Sequence, residues 1–436
     1  MNTKTLITFF FTAALLLCVT PSKAKKETKA GNATIGTLRV GTGKADVTPP
    51  ANMFPFQCLH ESYPHTGIHD SLYARALVMD NGHQRAVLAE LDEVAIPDVQ
   101  NFLALVAKAA NVKTQDVILC VSHTHSTLHP NGEDKRLQPV IDRMEAQTVK
   151  AVKAAVSNLQ PAFVSFGRGK AYVNINNGES QESKGQYSMT GFSDKTLDIV
   201  RFSRPDSSTI AMVVNYPTHA EVMFRSRSRD GGFEITGDLP GRVAQLMEQS
   251  KDHPLVLTTA GAEGDQQPIF TSRQHTTSMG FIDEKAGGWS IVDVLAHRLV
   301  DAAADVLAGM PLGENKVALT TSNTEAVVPG EHRHGFNDKK HLIDEPAADV
   351  HIPVGQIRLG DIAFDGIGAD LASEIGVAVR NASPVKNTML ITVTAGQVSY
   401  VLTDEAYRHY THGVFGSKVR AGYAQDALIK ALKGLE

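Results

Sequence analysis

Apolar residues along this chain gather in short runs, and several of those runs stop at residues that can do chemistry. Tyr73 to Asp80 and Gln84 to Leu91 are apolar segments of strand length. They are joined through Asn81-Gly82, a pair that readily takes the positive φ angles of a tight hairpin. The second segment runs into Asp92-Glu93. The same layout recurs at Leu197 to Ser203 and Ser208 to Asn215, joined through Arg204-Pro-Asp-Ser207 and running into Tyr216-Pro-Thr-His219. It recurs again at Val354 to Leu359 and Ile362 to Ile367, around Gly360-Asp361, running into Gly368-Ala-Asp370. Each hairpin delivers a metal-ligand type of residue, Asp92, His219 or Asp370, at the end of its second strand. The segments share a layout and no residue identities, so the pattern predicts converging sheet edges rather than duplicated repeats.

Other periods predict the remaining elements. Val117 to Val121 reads as a buried strand, and Pro254 to Thr259 as another. Helical spacing covers Val99 to Ala110, Gln138 to Leu159 (closed by Pro161), Gly241 to Gln249, Ile291 to Ala308 and Ala424 to Leu435. Asp238 is placed to cap the third of these. Residues 328–350 are polar and rich in His, Lys and Asp, which predicts a surface loop or lid holding His332, His334 and His341, with His351 just beyond. The expected fold class is α/β: mixed sheets built from hairpins with flanking helices, residues 37–436 forming one compact domain.

Composition narrows the function. A hydrophobic fraction of 42% with 20% charged residues is ordinary for a globular protein. A formal net charge of -5 argues against nucleic acid or an anionic membrane surface as the main partner. Lys4, the apolar stretch Leu6 to Val19 and Ser22-Lys23-Ala24 read as a secretory signal peptide cut after Ala24. Residues 25–36 then form a flexible lead-in. The expected location is secreted or periplasmic, with lipid attachment at Cys18 the alternative; the bulky Leu17 before it disfavours attachment. Cys58 and Cys120 are expected to remain unpaired thiols. No segment after residue 24 is apolar enough to span a bilayer.

The strand Val117 to Val121 ends in Ser122-His-Thr-His-Ser126. Residues two apart in an extended chain project to one side, so His123 and His125 leave the strand end together. They can share a metal, or one can bind metal while the other moves a proton. The plain alternative is a polar loop that only caps the strand. The glycine-rich stretch Ala260 to Pro268 can turn backbone N–H groups towards an anion, or can be an ordinary loop. The chain has no GxSxG, Walker or HExxH motif, so any metal ligands must come from distant segments: His123 or His125, His219, and one of Asp92, Asp238 or Asp370.

Seven pieces resemble the neutral/alkaline ceramidase N-terminal domain, in that family's order. They are Gly41-Thr-Gly-Lys-Ala-Asp46-Val-Thr-Pro, Gly67-Ile-His69-Asp-Ser-Leu-Tyr73-Ala-Arg75-Ala, Ser122-His-Thr-His-Ser126, Tyr216-Pro-Thr-His219, Thr236-Gly-Asp238, Gly264-Asp265-Gln-Gln-Pro268 and the segment leading to Gly376. The resemblance implies a zinc hydrolase that cleaves the amide of N-acyl sphingosine. It implies His123, His219, Asp370 and Tyr400 as zinc ligands, with Asp370 one methylene shorter than the family's glutamate. It places His125 beside the substrate as a proton or hydrogen-bond donor, with Asp265 and Gln267 in the catalytic motif. His69, Asn174 and Gln266 are expected to face the substrate. The chain ends too early for the immunoglobulin-like domain of long members, so it resembles the short bacterial ones.

Two departures alter the expected substrate. Gln267 stands where the family's Gly-Asp-x-Ser-Pro motif has serine, and Val173-Asn174-Ile-Asn-Asn177 lacks the family's arginine. The expected reaction is therefore amide hydrolysis on a small acylated compound, lipid or glycan, other than ceramide. The alternatives are an esterase or N-deacetylase on acylated sugars, suited by Asn174, Asn176, Asn177, Gln266 and Gln267, and a binding protein that has lost the chemistry.

Overall fold

A computed structural model of the protein describes residues 33–59, 61–178, 187–276, 280–336, 342–408 and 412–435. One supersecondary unit occurs three times: three antiparallel strands, a helix, a fourth strand parallel to the third, and a second helix. The first unit is β1 (Arg39–Asp46), β2 (Tyr73–Asp80), β3 (Arg85–Leu91), α1 (Val99–Ala110), β4 (Val117–Val121) and α2 (Gln138–Ser157). The second is β5 (Phe163–Lys170), β6 (Thr196–Ser203), β7 (Thr209–Tyr216), α3 (Asp238–Glu248), β8 (Leu255–Ala260) and α4 (Gly288–Ala308). The third is β9 (Lys316–Phe336), β10 (Leu342–Leu359), β11 (Ile362–Ile367), α5 (Ser373–Ala382), β12 (Asn387–Ile391) and α6 (Ala424–Lys433). The sheets are thus mixed and the helices flank them, the α/β class expected.

Alternation along the strands explains how the units assemble. Leu77, Met79, Leu88, Ile118 and Cys120 of the first sheet meet Val200, Phe202, Val213 and Leu257 of the second and Ile357, Phe364, Met389 and Ile391 of the third. The next residues along the same strands turn the other way, under the helices. Val78, Val87 and Leu119 pack with Phe102 and Val152; Met212, Val214 and Val256 pack with Val243 and Leu295; Ile367 and Leu390 pack with Ile375 and Leu428. Strands covered on both faces read as continuous apolar runs, which is why their positions were legible. Each fully buried large apolar side chain contributes roughly 1.5–3 kcal/mol.

Ile35–Thr37 pairs antiparallel with Lys316–Ala318. One expectation changes. The described residues 328–336 and 342–350 are strand, not loop: β9 and β10 continue as a long antiparallel hairpin, with Val328 opposite Val350 and Arg333 opposite Asp344. Most of β10 from Asp344 to Asp349 is exposed, so no apolar alternation marked the strand. Arg333 ties the hairpin down by donating to the carbonyls of Ser417 and Val419. The expected signal peptide and Cys18 lie outside the described residues, as do His341 and the side chain of His334. No described helix is long and apolar enough to cross a membrane. Cys58 and Cys120 are buried and unpaired.

Helix α2 lies directly on β1 at its glycines. A Cβ on Gly43 would sit 1.9 Å from the Ala151 carbonyl oxygen, backbone that cannot swing away. Gly241, in the first turn of α3, has open space around its Cβ position. Gly43→Ala is therefore expected to lower stability by about 1–3 kcal/mol through overpacking. Gly241→Ala is expected to leave it unchanged or raise it by roughly 0.5–1 kcal/mol. Urea midpoints of the two variants check this; equal midpoints would refute the packing argument.

Candidate metal centre

The third and fourth strands of the units deliver the site. Strand β4 ends at Val121, and the chain turns sharply at His123, whose φ of 59° is unusual for a side-chain-bearing residue. The turn is held from both sides: Ser122 N donates to Leu91 O, and His125 N donates to Ala220 O. Strand β7 ends at Tyr216, three residues before His219. Strand β11 ends at Ile367, three residues before Asp370. Asp370 then pairs in parallel register with Tyr400, which sets the two side by side.

These segments bring His123, His125 and His219 together, with one nitrogen from each within 4.8 Å of the others. Each ring is anchored through its other nitrogen. His123 Nδ1 donates to Val94 O at 2.7 Å, and His219 Nδ1 to Gln266 O at 3.1 Å. His125 Nδ1 lies 3.1 Å from Glu221 Oε1. A carbonyl oxygen only accepts, so a neutral His123 or His219 ring carries its proton on Nδ1 and leaves Nε2 bare. The Nε2 atoms converge: His125 Nε2 is hydrogen-bonded to His123 Nε2 at 3.2 Å. Asp370 Oδ2 is 3.3 Å from His219 Nε2 and 3.9 Å from His123 Nε2. Tyr400 Oη is 3.4 Å from His219 Nε2. Asp370 Oδ1 is buried without a partner.

Such spacings fit a metal. Two donors on one tetrahedral zinc, with bonds of about 2.0–2.1 Å, sit about 3.3–3.4 Å apart. Burial, aided by the neighbouring rings, pushes the His123 pKa down to about 3, so the ring is the neutral base a metal requires. Burial works the same way on His219, but the Asp370 carboxylate outweighs it and raises that pKa well above the ordinary value. Nδ1 anchoring of this kind fixes ring orientation at metal sites.

Other residues singled out in the sequence hold the frame. Asp92 accepts from Arg75 at 2.9 Å and from Tyr73 N at 2.8 Å, inside a buried network with Glu90. Asp238 accepts from Val222 N and Met223 N, at 3.1 and 2.8 Å, rather than acting as a simple cap. Asp265 is buried and accepts from Ser373 N, Ser373 Oγ, Gln266 Nε2 and Asn176 Nδ2. Gln266 and Asn174 are buried in that network too, bonded to each other and to Ser193, Pro217 and Asp194. His69 stacks on Trp289 at 3.5 Å in a separate cavity of about 540 Å³ that contains none of the three histidines. The glycine-rich loop spends its amides internally, Gly264 N on Leu371 O and Gln266 N on Glu263 O, so it is no anion nest. Gln267 differs: its side-chain oxygen is buried with no partner. His332 and His351 are exposed, and His351 pairs with Glu325.

Two carboxylates escaped the sequence reading. Glu221 binds His125 across the isolated parallel bridge between Thr124 and Ala220. Glu263 is fully buried with neither oxygen bonded; the neighbouring Thr218 amide turns to Tyr216 O instead. It lines a cavity of about 30 Å³ together with Ser122, whose hydroxyl also lacks a partner, which is room for an ordered water. Burial holds the Glu263 pKa well above the usual range. The signal for Glu263 was an acid among the small residues Gly261, Ala262 and Gly264. The signal for Glu221 was an acid two residues beyond His219.

Imidazoles and a carboxylate thus converge at strand ends of an α/β scaffold in a cluster that could hold a metal ion. The chain belongs to the neutral/alkaline non-lysosomal ceramidase family, whose N-terminal domain profile matches residues 38–262. Two solved structures share the fold. One is a ceramidase complexed with C2, at 16% identity and a TM-score of 0.70 over 90% of this chain and 74% of that one. The other is neutral ceramidase from Pseudomonas aeruginosa, at 16% identity and a TM-score of 0.71 over 91% of this chain and 73% of that one. Asp370 and Tyr400 lie beyond the profile match, so their place beside His219 rests on the geometry.

The frame and the donor set respond differently to mutation. Asp265→Ala leaves several buried donors unpaired and is expected to cost about 2–4 kcal/mol of stability. Asp370→Ala removes one buried oxygen that has no partner and lets His219 turn neutral, so it is expected to cost less stability than Asp265→Ala in the metal-free protein. Urea unfolding of the two metal-free variants checks this, and the reverse order would refute the assignment.

Proposed function

We propose that the protein is an exported, zinc-dependent hydrolase that cleaves a linear amide of an acylated small molecule. The observation that carries this reading is the set of imidazole Nε2 atoms and a carboxylate oxygen facing one another at 3.2–3.9 Å, with the His123 and His219 rings held by their Nδ1 hydrogen bonds. His123, His219 and Asp370 would hold the metal, with Tyr400 Oη the next donor. Nitrogen and oxygen donors of this mix suit zinc. When bound, zinc supplies a Lewis acid that polarises a carbonyl and lowers the pKa of water to about 7.

The chain's own groups do the rest. His125 is the most open of the three imidazoles, its side chain 16% accessible against 6% for His123 and 1% for His219, so it meets the substrate and moves the proton. The Tyr400 hydroxyl and the Gln267 side chain orient the amide. Gln267 in place of serine, and no arginine in Asn174–Asn177, favour a substrate other than ceramide. Of the polar residues that suited a sugar, Asn174, Asn176 and Gln266 are buried and bonded internally, which weakens the carbohydrate reading, while the side-chain oxygens of Asn177 and Gln267 have no partner. The exposed side chains Tyr187, Met189, Phe192 and Phe270 flank the Asn176 and Gln266 segments and suit an acyl chain. Export rests on the signal-like residues 1–24, and N-terminal sequencing of the mature protein tests it.

Purified protein is expected to carry about one zinc per chain, and His219→Ala to lose it. Chelation is expected to abolish hydrolysis across a panel of short-chain N-acyl sphingosine, N-acyl amino acids, N-acetylated sugars and O-acyl esters, and zinc to restore it. Hydrolysis that survives complete metal removal would sink the proposal. Metal bound with no turnover of any amide would replace it with the binding-protein reading.

A further inference from the structure

We propose that the cavity bounded by α3, α4 and the strands β1 and β2 is a binding site for a neutral sugar, apart from the metal centre and independent of the reaction there. Its volume of about 540 Å³ is that of a small-molecule site, and none of the three clustered histidines lines it. One wall is an aromatic platform. His69 lies on Trp289 with ring centroids 3.5 Å apart and planes 10° from parallel. Asp70 holds the platform in place: its Oδ2 is 2.8 Å from His69 Nδ1, and it accepts from Thr236 Oγ1 at 2.6 Å and from Gly237 N at 2.8 Å. The His69 side chain is still 40% exposed, so the stack is reachable from outside.

The charges around the cavity balance. Lys44, Arg75 and Arg242 line it together with Asp70, Asp238 and Asp293. Lys44 pairs with Glu248, Arg242 with Asp293 and Arg75 with Asp92, while Asp238 takes two backbone amides. No excess of either sign is left to draw in an ion.

One donor is left over. The Arg75 side chain is 2% exposed and its Nε–H makes no hydrogen bond, while Glu248 Oε1 stops 3.9 Å away. A buried donor is destabilising until something accepts from it. The group that suits a guanidinium N–H beside a carboxylate is a hydroxyl, which accepts from the first and donates to the second. A phosphate or carboxylate would meet Glu248 with like charge, and an ammonium would meet Arg75 in the same way. Hydroxyls on a compact ring, with C–H faces to lie on an aromatic wall, describe a sugar. Open space lies beside α3, where a Cβ on Gly241 would have nothing within 4 Å.

The test uses the full mature protein. Trp289 is the only tryptophan in the sequence, so tryptophan emission reports on this wall alone. The protein is titrated with glucose, galactose, N-acetylglucosamine, maltose and lactose, and with glucuronate and inorganic phosphate as charged comparisons. At least one neutral sugar is expected to change the emission saturably with a roughly millimolar Kd, the strength open to a ligand of this size. Calorimetry is expected to give the same Kd, and the charged probes are expected to give no response. Gly241→Phe fills the open space, and its urea midpoint is expected to stay near that of the wild type. His69→Ala removes half of the platform at an exposed position. Each is expected to weaken sugar binding by about 10-fold or more. Chelation of metal is expected to leave the Kd unchanged. No saturable response to any of the neutral sugars would overturn the proposal, as would tighter binding of glucuronate or phosphate. A Kd that neither variant alters would place the sugar elsewhere and overturn it too. Sugar binding that disappears on chelation would move the ligand to the metal centre, with the same result. A protein that binds the sugar but neither holds zinc nor hydrolyses an amide would defeat the hydrolase reading and leave this site standing.

Discussion

Nitrogen and oxygen donors crowded at 3.2–3.9 Å in a buried cluster are the constraint on which this structure turns. A protein interior tolerates such a cluster only if a cation or shared protons complete it. Everything around the three imidazoles sustains the arrangement. Val94 O and Gln266 O each take one Nδ1 proton, and Glu221 Oε1 lies 3.1 Å from the Nδ1 of His125. His123 accepts a left-handed backbone to reach its place. Asp370 leaves one buried oxygen unpaired. These are local costs, of order 1 kcal/mol or more each, that packing elsewhere must offset.

The threefold unit explains how one chain assembles such a site. Each unit ends two parallel neighbouring strands at the same edge, and the three sheets share one apolar core, so several strand ends meet. The first unit supplies His123, His125 and, through Val94, an anchor. The second supplies His219, Glu221 and Glu263. The third supplies Asp370 and Tyr400. Ligands far apart in sequence are near in space because the units face inward through the same residues that build the core. The family match gives this arrangement its chemical class, and the geometry gives the residues.

Much of the frame was legible because its strands are covered on both faces. Val117–Val121, Val99–Ala110 and Tyr73–Asp80 lie where their apolar runs placed them. The hairpins were legible and the unit was not, since a parallel strand after a helix pairs with a partner well back in the chain, Ile362 with Asn387 and Ala211 with Leu255, and leaves no local mark. The β9–β10 hairpin was misread because its outer half is exposed and polar. Asn174 and Gln266 were expected to face a substrate, and Asp265 to lie in the catalytic motif, from the resemblance alone. Their side chains bond one another and Asn176, and sequence does not say towards which side a polar residue turns. Glu221 escaped because its link to His125 exists only through the bridge between Thr124 and Ala220.

The most direct test of the central claim is X-ray absorption at the zinc edge of the loaded protein. The account predicts a shell of nitrogen and oxygen at about 2.0–2.1 Å with imidazole scattering from two rings. A sulfur shell near about 2.3 Å, or an oxygen-only shell without imidazole, would place the metal elsewhere and contradict it.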